Sequence, residues 1–175
     1  MPERDQVHGD RSEMSDPVHN PGATIAAIKS VIEEMHSTGP GEKNRMFNEA
    51  LIADYRASGG KTAGELPAAA VVIVTMKGAR TGLERVVPIG AEVIEGRLLI
   101  VASAAGLSKH PQWYHNLVAH PKVTAEYMGD SFEAEGIEIQ GAERDRIFAQ
   151  LNKSYHDLQA QTPRVFPVIE LRRVS

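Results

Sequence analysis

Apolar residues are spread unevenly along this chain. They are nearly missing from the first 22 positions, recur at helical spacing in the next stretch, and gather into short runs from residue 70 onward. The opening stretch mixes acids, Arg, Ser, Pro and Gly, a composition that buries too little surface to offset the entropy of ordering, so residues 1–22 are expected to form a disordered tail. From Ala23 to His36, Ile25, Ile28, Val31, Ile32 and Met35 keep helical spacing up to the breakers Ser37-Thr38-Gly39-Pro40-Gly41. The expected amphipathic helix stands apart from the core and would pack on the body or on a partner subunit; it lacks the basic polar face of membrane-surface helices. A second helix is expected from Arg45 to Arg56, ahead of Ser58-Gly59-Gly60. Residues 23–66 thus read as N-terminal helices, and residues 67–175 as the main domain.

The rest reads as strands at Ala70 to Met76, Arg85 to Ile94, Arg97 to Ser103, Lys122 to Met128 and Ser131 to Ile139, with Val165 to Arg172 closing the chain. Glu95-Gly96 and Gly129-Asp130 are short links that favour hairpins, and Ser131 to Ile139 alternates polar and apolar residues. The pattern predicts a mainly β, α+β architecture of six or so antiparallel strands, a small closed or nearly closed barrel with flanking helices and few exposed strand edges. Gly141 to Leu151 reads as a helix with Ile147, Phe148 and Leu151 on one side and acids near its start. Pro111 suits the first turn of a short helix that Pro121 prevents from continuing. Trp113, Leu117 and Val118 would share its apolar face, either against the core or as a ligand wall. Lys109 would sit just outside its positive end, a good place to hold an anion.

Composition narrows the function. At 175 residues the chain suits one domain with a core of its own, and 19 Lys+Arg against 23 Asp+Glu argue against a surface built for nucleic acid. Without cysteine there is no disulfide, thiolate zinc site or Cys nucleophile, and the seven His show no metal-ligand spacing. No metal is expected. No apolar run approaches a membrane span and the N-terminus is polar, so a cytoplasmic protein is expected.

Any anion site must therefore be local, and the segment Thr75-Met76-Lys77-Gly78-Ala79-Arg80-Thr81-Gly82-Leu83-Glu84-Arg85, a turn joining the first two core strands, is the candidate. Gly78 and Gly82 let the backbone turn tightly and bring N–H groups close to a ligand, while Arg80 and Arg85 can meet phosphate or carboxylate oxygens with forked hydrogen bonds. The turn is neither a Walker loop nor a Gly-x-Gly-x-x-Gly dinucleotide turn, and a solvated basic hairpin would look the same. If Lys109 lies near Arg80 and Arg85, an acidic protein gains one basic pocket beside an aromatic wall, suited to a flat, anionic, conjugated ligand.

Three motifs in order, Gly78-Ala79-Arg80-Thr81-Gly82 with Arg85-Val86-Val87-Pro88, Lys109-His110-Pro111-Gln112-Trp113-Tyr114-His115-Asn116-Leu117 with Pro121-Lys122-Val123, and Tyr155 to Pro167, make the chain resemble the deazaflavin-dependent nitroreductase or quinone reductase family. The resemblance implies a split β-barrel related to flavin-binding proteins and the use of reduced coenzyme F420. It also implies that Ala79, Arg80 and Thr81, with Arg85, Val86, Val87, Pro88, Ile89 and Gly90, hold the cofactor's phosphate side and one edge of its ring. Val101, Ala102, Ser103 and Ala104, with Gln112, Trp113, Tyr114, His115 and Asn116, would line the remainder, and Tyr155 would face the reacting centre. F420 carries a phosphate and a γ-glutamyl tail, which Arg80, Arg85 and Lys109 can neutralise, and a tricycle that Pro88, Val101, Ala102 and Trp113 can cover. Hydride transfer to a quinone, enone or nitro acceptor then needs a proton, with Tyr155, Ser103 and His156 as candidate donors in that order. Where some relatives place three tyrosines at the substrate mouth, this chain has Asn152, Tyr155 and Leu158. A non-catalytic F420 carrier and an FMN-binding split-barrel reductase are the alternatives. A homodimer and peripheral membrane contact stay open.

Overall fold

The computed structural model describes residues 42–175. The expected tail and the helix expected over 23–36 lie outside the described residues. Helix α1 (Glu42–Ala57) leads into a small hairpin of β1 (Thr62–Ala63) and β2 (Leu66–Pro67). Then come β3 (Val71–Lys77), β4 (Glu84–Ile94), β5 (Arg97–Val101), α2 (Gln112–Ala119), β6 (Lys122–Tyr127), β7 (Asp130–Ile139), α3 (Gly141–Phe148), α4 (Lys153–Gln159) and β8 (Val168–Arg173). Six strands close an antiparallel barrel in the order β3-β4-β5-β8-β7-β6, with β6 returning to β3.

Burial on both faces of the wall explains the near-continuous apolar runs. Val72, Val74 and Met76 of β3 join Ile89, Ile100, Val123, Ala125, Ile169 and Leu171 in one buried cluster. The alternate residues Val71 and Ile73 pack outward on Leu51 and Tyr55 of α1 and on the β1–β2 hairpin. Likewise Leu99 and Val101 of β5 face Ile147, Phe148, Leu151, Tyr155 and Leu158 around α3 and α4. Each such fully buried Val, Leu or Ile stabilises the fold by about 1.5–3 kcal/mol relative to exposure.

Turn chemistry fixes the register. Glu95 and Gly96 both have positive φ and pair Ile94 with Arg97, the primed hairpin turn that matches strand twist. The second link is Met128-Gly129, one residue earlier than expected, since Tyr127 already pairs with Asp130. That link also anchors α1. The Met128 N–H donates to the Tyr55 hydroxyl at 2.7 Å, and a Cβ on Gly60, itself at φ +73°, would lie 2.2 Å from the Gly129 nitrogen. No helix among the described residues is long and apolar enough to cross a membrane.

One helix was not anticipated, and one expectation is corrected. Residues 153–159 form α4, started by Asn152, whose Oδ1 accepts from the Ser154 N–H at 2.9 Å. Val118 does not share the face of Trp113 and Leu117: it is 62% exposed, while Asn116 is buried in its place. At about 100° per residue, positions three and four on from Trp113 return to its face and position five does not.

Candidate functional site

The β3–β4 turn is folded tightly on itself. The Gly78 N–H donates to the Leu83 carbonyl at 2.7 Å, the Gly82 N–H to the Gly78 carbonyl at 2.9 Å, and the Leu83 N–H to Thr81 Oγ1 at 3.2 Å. A side chain on Gly78 would put its Cβ 2.9 Å from Thr81 Oγ1, so glycine is what this closeness permits. Asn116, 6% exposed, ties the turn to α2: its Oδ1 accepts from the Ala79 N–H at 2.9 Å and from Gln112 Nε2 at 3.3 Å. The first two sequence motifs are thereby joined.

Arginine pairing singles the turn out. Among the described residues, Arg45, Arg56, Arg97, Arg144, Arg146, Arg172 and Arg173 pair with carboxylates. Arg164 is bonded to carbonyls. Arg80 and Arg85, both exposed, have no such partner. Lys109 is likewise exposed and unpaired. Two guanidinium forks left unspent on a rigid turn are a charged site for phosphate or carboxylate.

Beside the turn the barrel wall is open. Residues 84–90 of β4 pair with β3 along their whole length, but β5 joins β4 only at Ala91–Ile94. On the side away from β3, residues 85–90 therefore have no strand partner; residues 85–87 keep exposed surface and can offer backbone groups to a ligand, whereas residues 88–90 are covered. Ile89 itself points into the barrel core, while Val86 and Val87 are half-buried. Pro88 and Gly90 are buried.

The stretch from Val101 to His110 is polar and strained. Val101, Ala102, Ser103 and Ala104 are all buried, and Ser103 Oγ has no hydrogen-bond partner. Ala104 and Ala105 sit at φ 46° and 52°, a left-handed conformation that costs a residue with a Cβ about 1–2 kcal/mol. What holds it is Arg164, which donates to the carbonyls of Ala102 (2.8 Å), Ser103 (2.7 Å) and Leu107 (3.0 Å) and to His110 Nδ1 (2.9 Å). Burial first, and then Arg164 and His115, hold the His110 pKa below its ordinary value, so Nδ1 stays a neutral acceptor.

On α2, Trp113 is 6% exposed and packs with Leu117 in the barrel core, anchoring the helix, while Gln112 and His115 lie outside. Tyr114 is half-buried and donates to Glu138 Oε2 at 2.9 Å; burial and that bond push its phenol up to about 12. Tyr155 is 4% exposed among the residues around α3 and α4, and burial, with Glu92 second, raises its pKa strongly. His156 lies beside it with Nε2 3.2 Å from the Leu151 carbonyl. A cleft of about 490 Å³ flanks the other side of the turn, lined by Lys77, Glu84, His120, Lys122 and Glu133; none of the expected ring-lining residues borders it.

A basic turn, an open strand edge and a buried hydroxyl on a strained loop fit a cofactor with an anionic side chain and a polar-edged ring. Together with the barrel they define a split-barrel protein of the kind that holds a flavin-like cofactor. The chain belongs to the F420H2-dependent quinone reductase family, whose profile matches residues 48–172. An F420H2-dependent quinone reductase of Mycobacterium tuberculosis is 30% identical over 128 residues, spanning 69% of this chain and 86% of its own length. A putative F420H2-dependent quinone reductase of Mycobacterium bovis matches to the same extent. Among solved structures, the F420-H2 dependent reductase FDR-A superposes with a TM-score of 0.53 at 30% identity, covering 59% of this chain and 94% of that one. Another, described as a domain-swapped dimer, gives 0.55 at 26% identity, covering 71% and 97%. The family is one of oxidoreductases, and its cofactor is reduced coenzyme F420.

Sequence reasoning gave Arg164 no role, although it stood inside a quoted motif. The readable signal was a lone arginine in Thr162-Pro163-Arg164-Val165-Phe166-Pro167, a rigid, mostly apolar linker.

Proposed function

We propose that this chain binds F420H2 with the phosphate side on Arg80 and Arg85 and the ring between the open edge of β4 and residues 101–104. A quinone is reduced there, with enones and nitro compounds as further acceptors. The observation that carries this reading is the pair of unpartnered arginines on a turn that Asn116 fixes beside that edge. Bound reduced deazaflavin supplies a hydride. The chain's own part is to neutralise the anionic side chain with Arg80, Arg85 and Lys109, to exclude water with the buried wall of Pro88, Val101 and Ala102, and to hold a proton for the acceptor. The Ser103 hydroxyl, buried with no partner, holds such a proton at Oγ, and being fully covered it too meets an acceptor only once the residues over it move. Tyr155, kept protonated by burial, reaches an acceptor only after α4 or its linker moves.

The test is to mix the protein with F420H2 and a panel of quinones, enones and nitro compounds while following the cofactor's absorbance. Reoxidation with quinones is expected, and none with any acceptor would refute the proposal in favour of a carrier. Arg80→Ala and Arg85→Ala should each weaken F420 binding by about 1–3 kcal/mol. Unchanged affinity in both would remove the phosphate site, and tight FMN binding with none of F420 would replace the cofactor. A cytoplasmic homodimer is part of the same reading, checked by cell fractionation and light scattering.

A further inference from the structure

We propose that Arg164 is a positioning residue for the cofactor site: from the linker between α4 and β8 it holds residues 102–107 so that the Ala104 N–H and the Ser103 hydroxyl are presented to the carbonyl edge of the bound ring. The inference rests on the F420 reading above.

The argument starts from peptide geometry. In a trans peptide the N–H points opposite to the C=O of the same unit. The Ser103 carbonyl accepts from Arg164 at 2.7 Å and from the Gly106 N–H at 2.9 Å, so the Ala104 N–H of that peptide faces away from both donors. Likewise the Ala104 carbonyl accepts from the Leu107 N–H at 3.0 Å, which turns the Ala105 N–H outward. Neither N–H has an acceptor among the described residues, although Ala104 has no exposed surface at all. A buried, unbonded N–H is rare in a folded protein, and here it lies next to Ser103 Oγ, also buried and unpartnered. Ser103 Oγ and the Ala104 N–H are covered in the chain without ligand and meet no acceptor there, so the ring meets them only once the residues covering the loop give way.

Arg164 does more than shape the turn. A hydrogen bond from a guanidinium to a peptide carbonyl polarises that peptide, which makes the Ala104 N–H a stronger donor. Arg164 has no carboxylate partner among the described residues, so its positive charge stands uncompensated behind the wall. The linker that carries it is itself held by α4: Gln159 Nε2 donates to the Arg164 carbonyl at 2.6 Å, and the Phe166 N–H donates to Gln159 Oε1 at 2.9 Å. Compared at one ionisation state of its hydroxyl, the ring gains one negative charge on accepting hydride, and the uncompensated charge of Arg164 favours that form.

The experiment measures dissociation constants for reduced and oxidised F420 with wild type, Arg164→Met and Arg164→Lys, alongside the thermal midpoint of each. Arg164→Met should weaken binding of reduced F420 about tenfold or more, and oxidised F420 by less. Arg164→Lys keeps the charge and loses the fork, so both affinities fall while their ratio stays at the wild-type value. Unchanged affinities in Arg164→Met overturn the proposal. So does an equal loss for both forms with a lowered midpoint, since that marks a merely structural arginine. If Arg164→Met does not fold, Arg164→Lys decides: weaker binding supports the role and wild-type affinity overturns it. A wild-type protein that binds neither form overturns the F420 reading and this inference with it, whereas wild-type binding with unaffected variants overturns this inference alone.

Discussion

Replacing Asn116 by leucine keeps the volume of the side chain and deletes the acceptor that ties the basic β3–β4 turn to α2. The bond lost is that from the Ala79 N–H, 2.9 Å long and half-buried at its donor. Stranding a buried N–H costs about 1–3 kcal/mol, and since water reaches Ala79 in part, about 1–2 kcal/mol is the expected loss. For a domain of this size that is a fall in Tm of about 2–8 °C, read by scanning calorimetry. The freed turn must then be ordered again when ligand binds. Re-fixing a single residue costs about 1–2 kcal/mol, so the Kd for F420 should rise about five- to thirtyfold. Gln112→Ala is the control, because it removes the longer 3.3 Å contact to the same oxygen and leaves the turn tied. The reasoning is refuted if Asn116→Leu keeps the wild-type Tm and Kd, or if Gln112→Ala lowers the Tm as much.

Two further perturbations test the packing and the charges. A Cβ on Gly136 would meet Cγ, Cδ1 and Cδ2 of Leu117 at 2.8–2.9 Å. Gly136→Ala should therefore destabilise by about 1–3 kcal/mol in urea unfolding, and Leu117→Val should relieve part of that; strict additivity in the double variant would show the contact to be unimportant. Hydrogen bonds from Arg172, and then Arg97, hold the Glu170 carboxyl below the usual carboxylate range. Because its folded pKa lies below the unfolded value of about 4.3, its stabilising contribution is complete above that pH and disappears as pH falls through the folded pKa. Glu170→Gln should accordingly flatten the acid limb of a stability–pH curve, and an unchanged slope there would contradict the assignment.

The barrel was legible because its wall is written twice over, in apolar runs and in the turns between them. Glu95-Gly96 marked its hairpin at the right residues, and β3, buried on both faces, showed as Val71-Val72-Ile73-Val74. Where local pattern is weak, reading failed. The seven residues of α4, Lys-Ser-Tyr-His-Asp-Leu-Gln, carry little helical periodicity, and the only sign of their start was the capping Asn152. The basic turn stood out by composition. Its fastening by Asn116 did not, because Ala79 and Asn116 are 37 positions apart and meet only when the barrel closes. Arg164 was hidden for the same reason, since the carbonyls it serves lie 57 to 62 positions earlier.

The unpaired stretch of β4 has a consequence for the chain when it is empty. A barrel escapes aggregation by hiding every strand edge, and this one leaves residues 85–87 uncovered as a short edge able to pair with an extended peptide, a second copy included. Two residues blunt that hazard: Arg85 sets a charge at the start of the stretch, and the buried Pro88 ends it with a residue that has no N–H to donate. A ring seated there takes the place of a missing strand. On the proposed placement the cofactor would guard solubility as well as supply chemistry, and the protein should stay clear at higher concentration with F420 than without it.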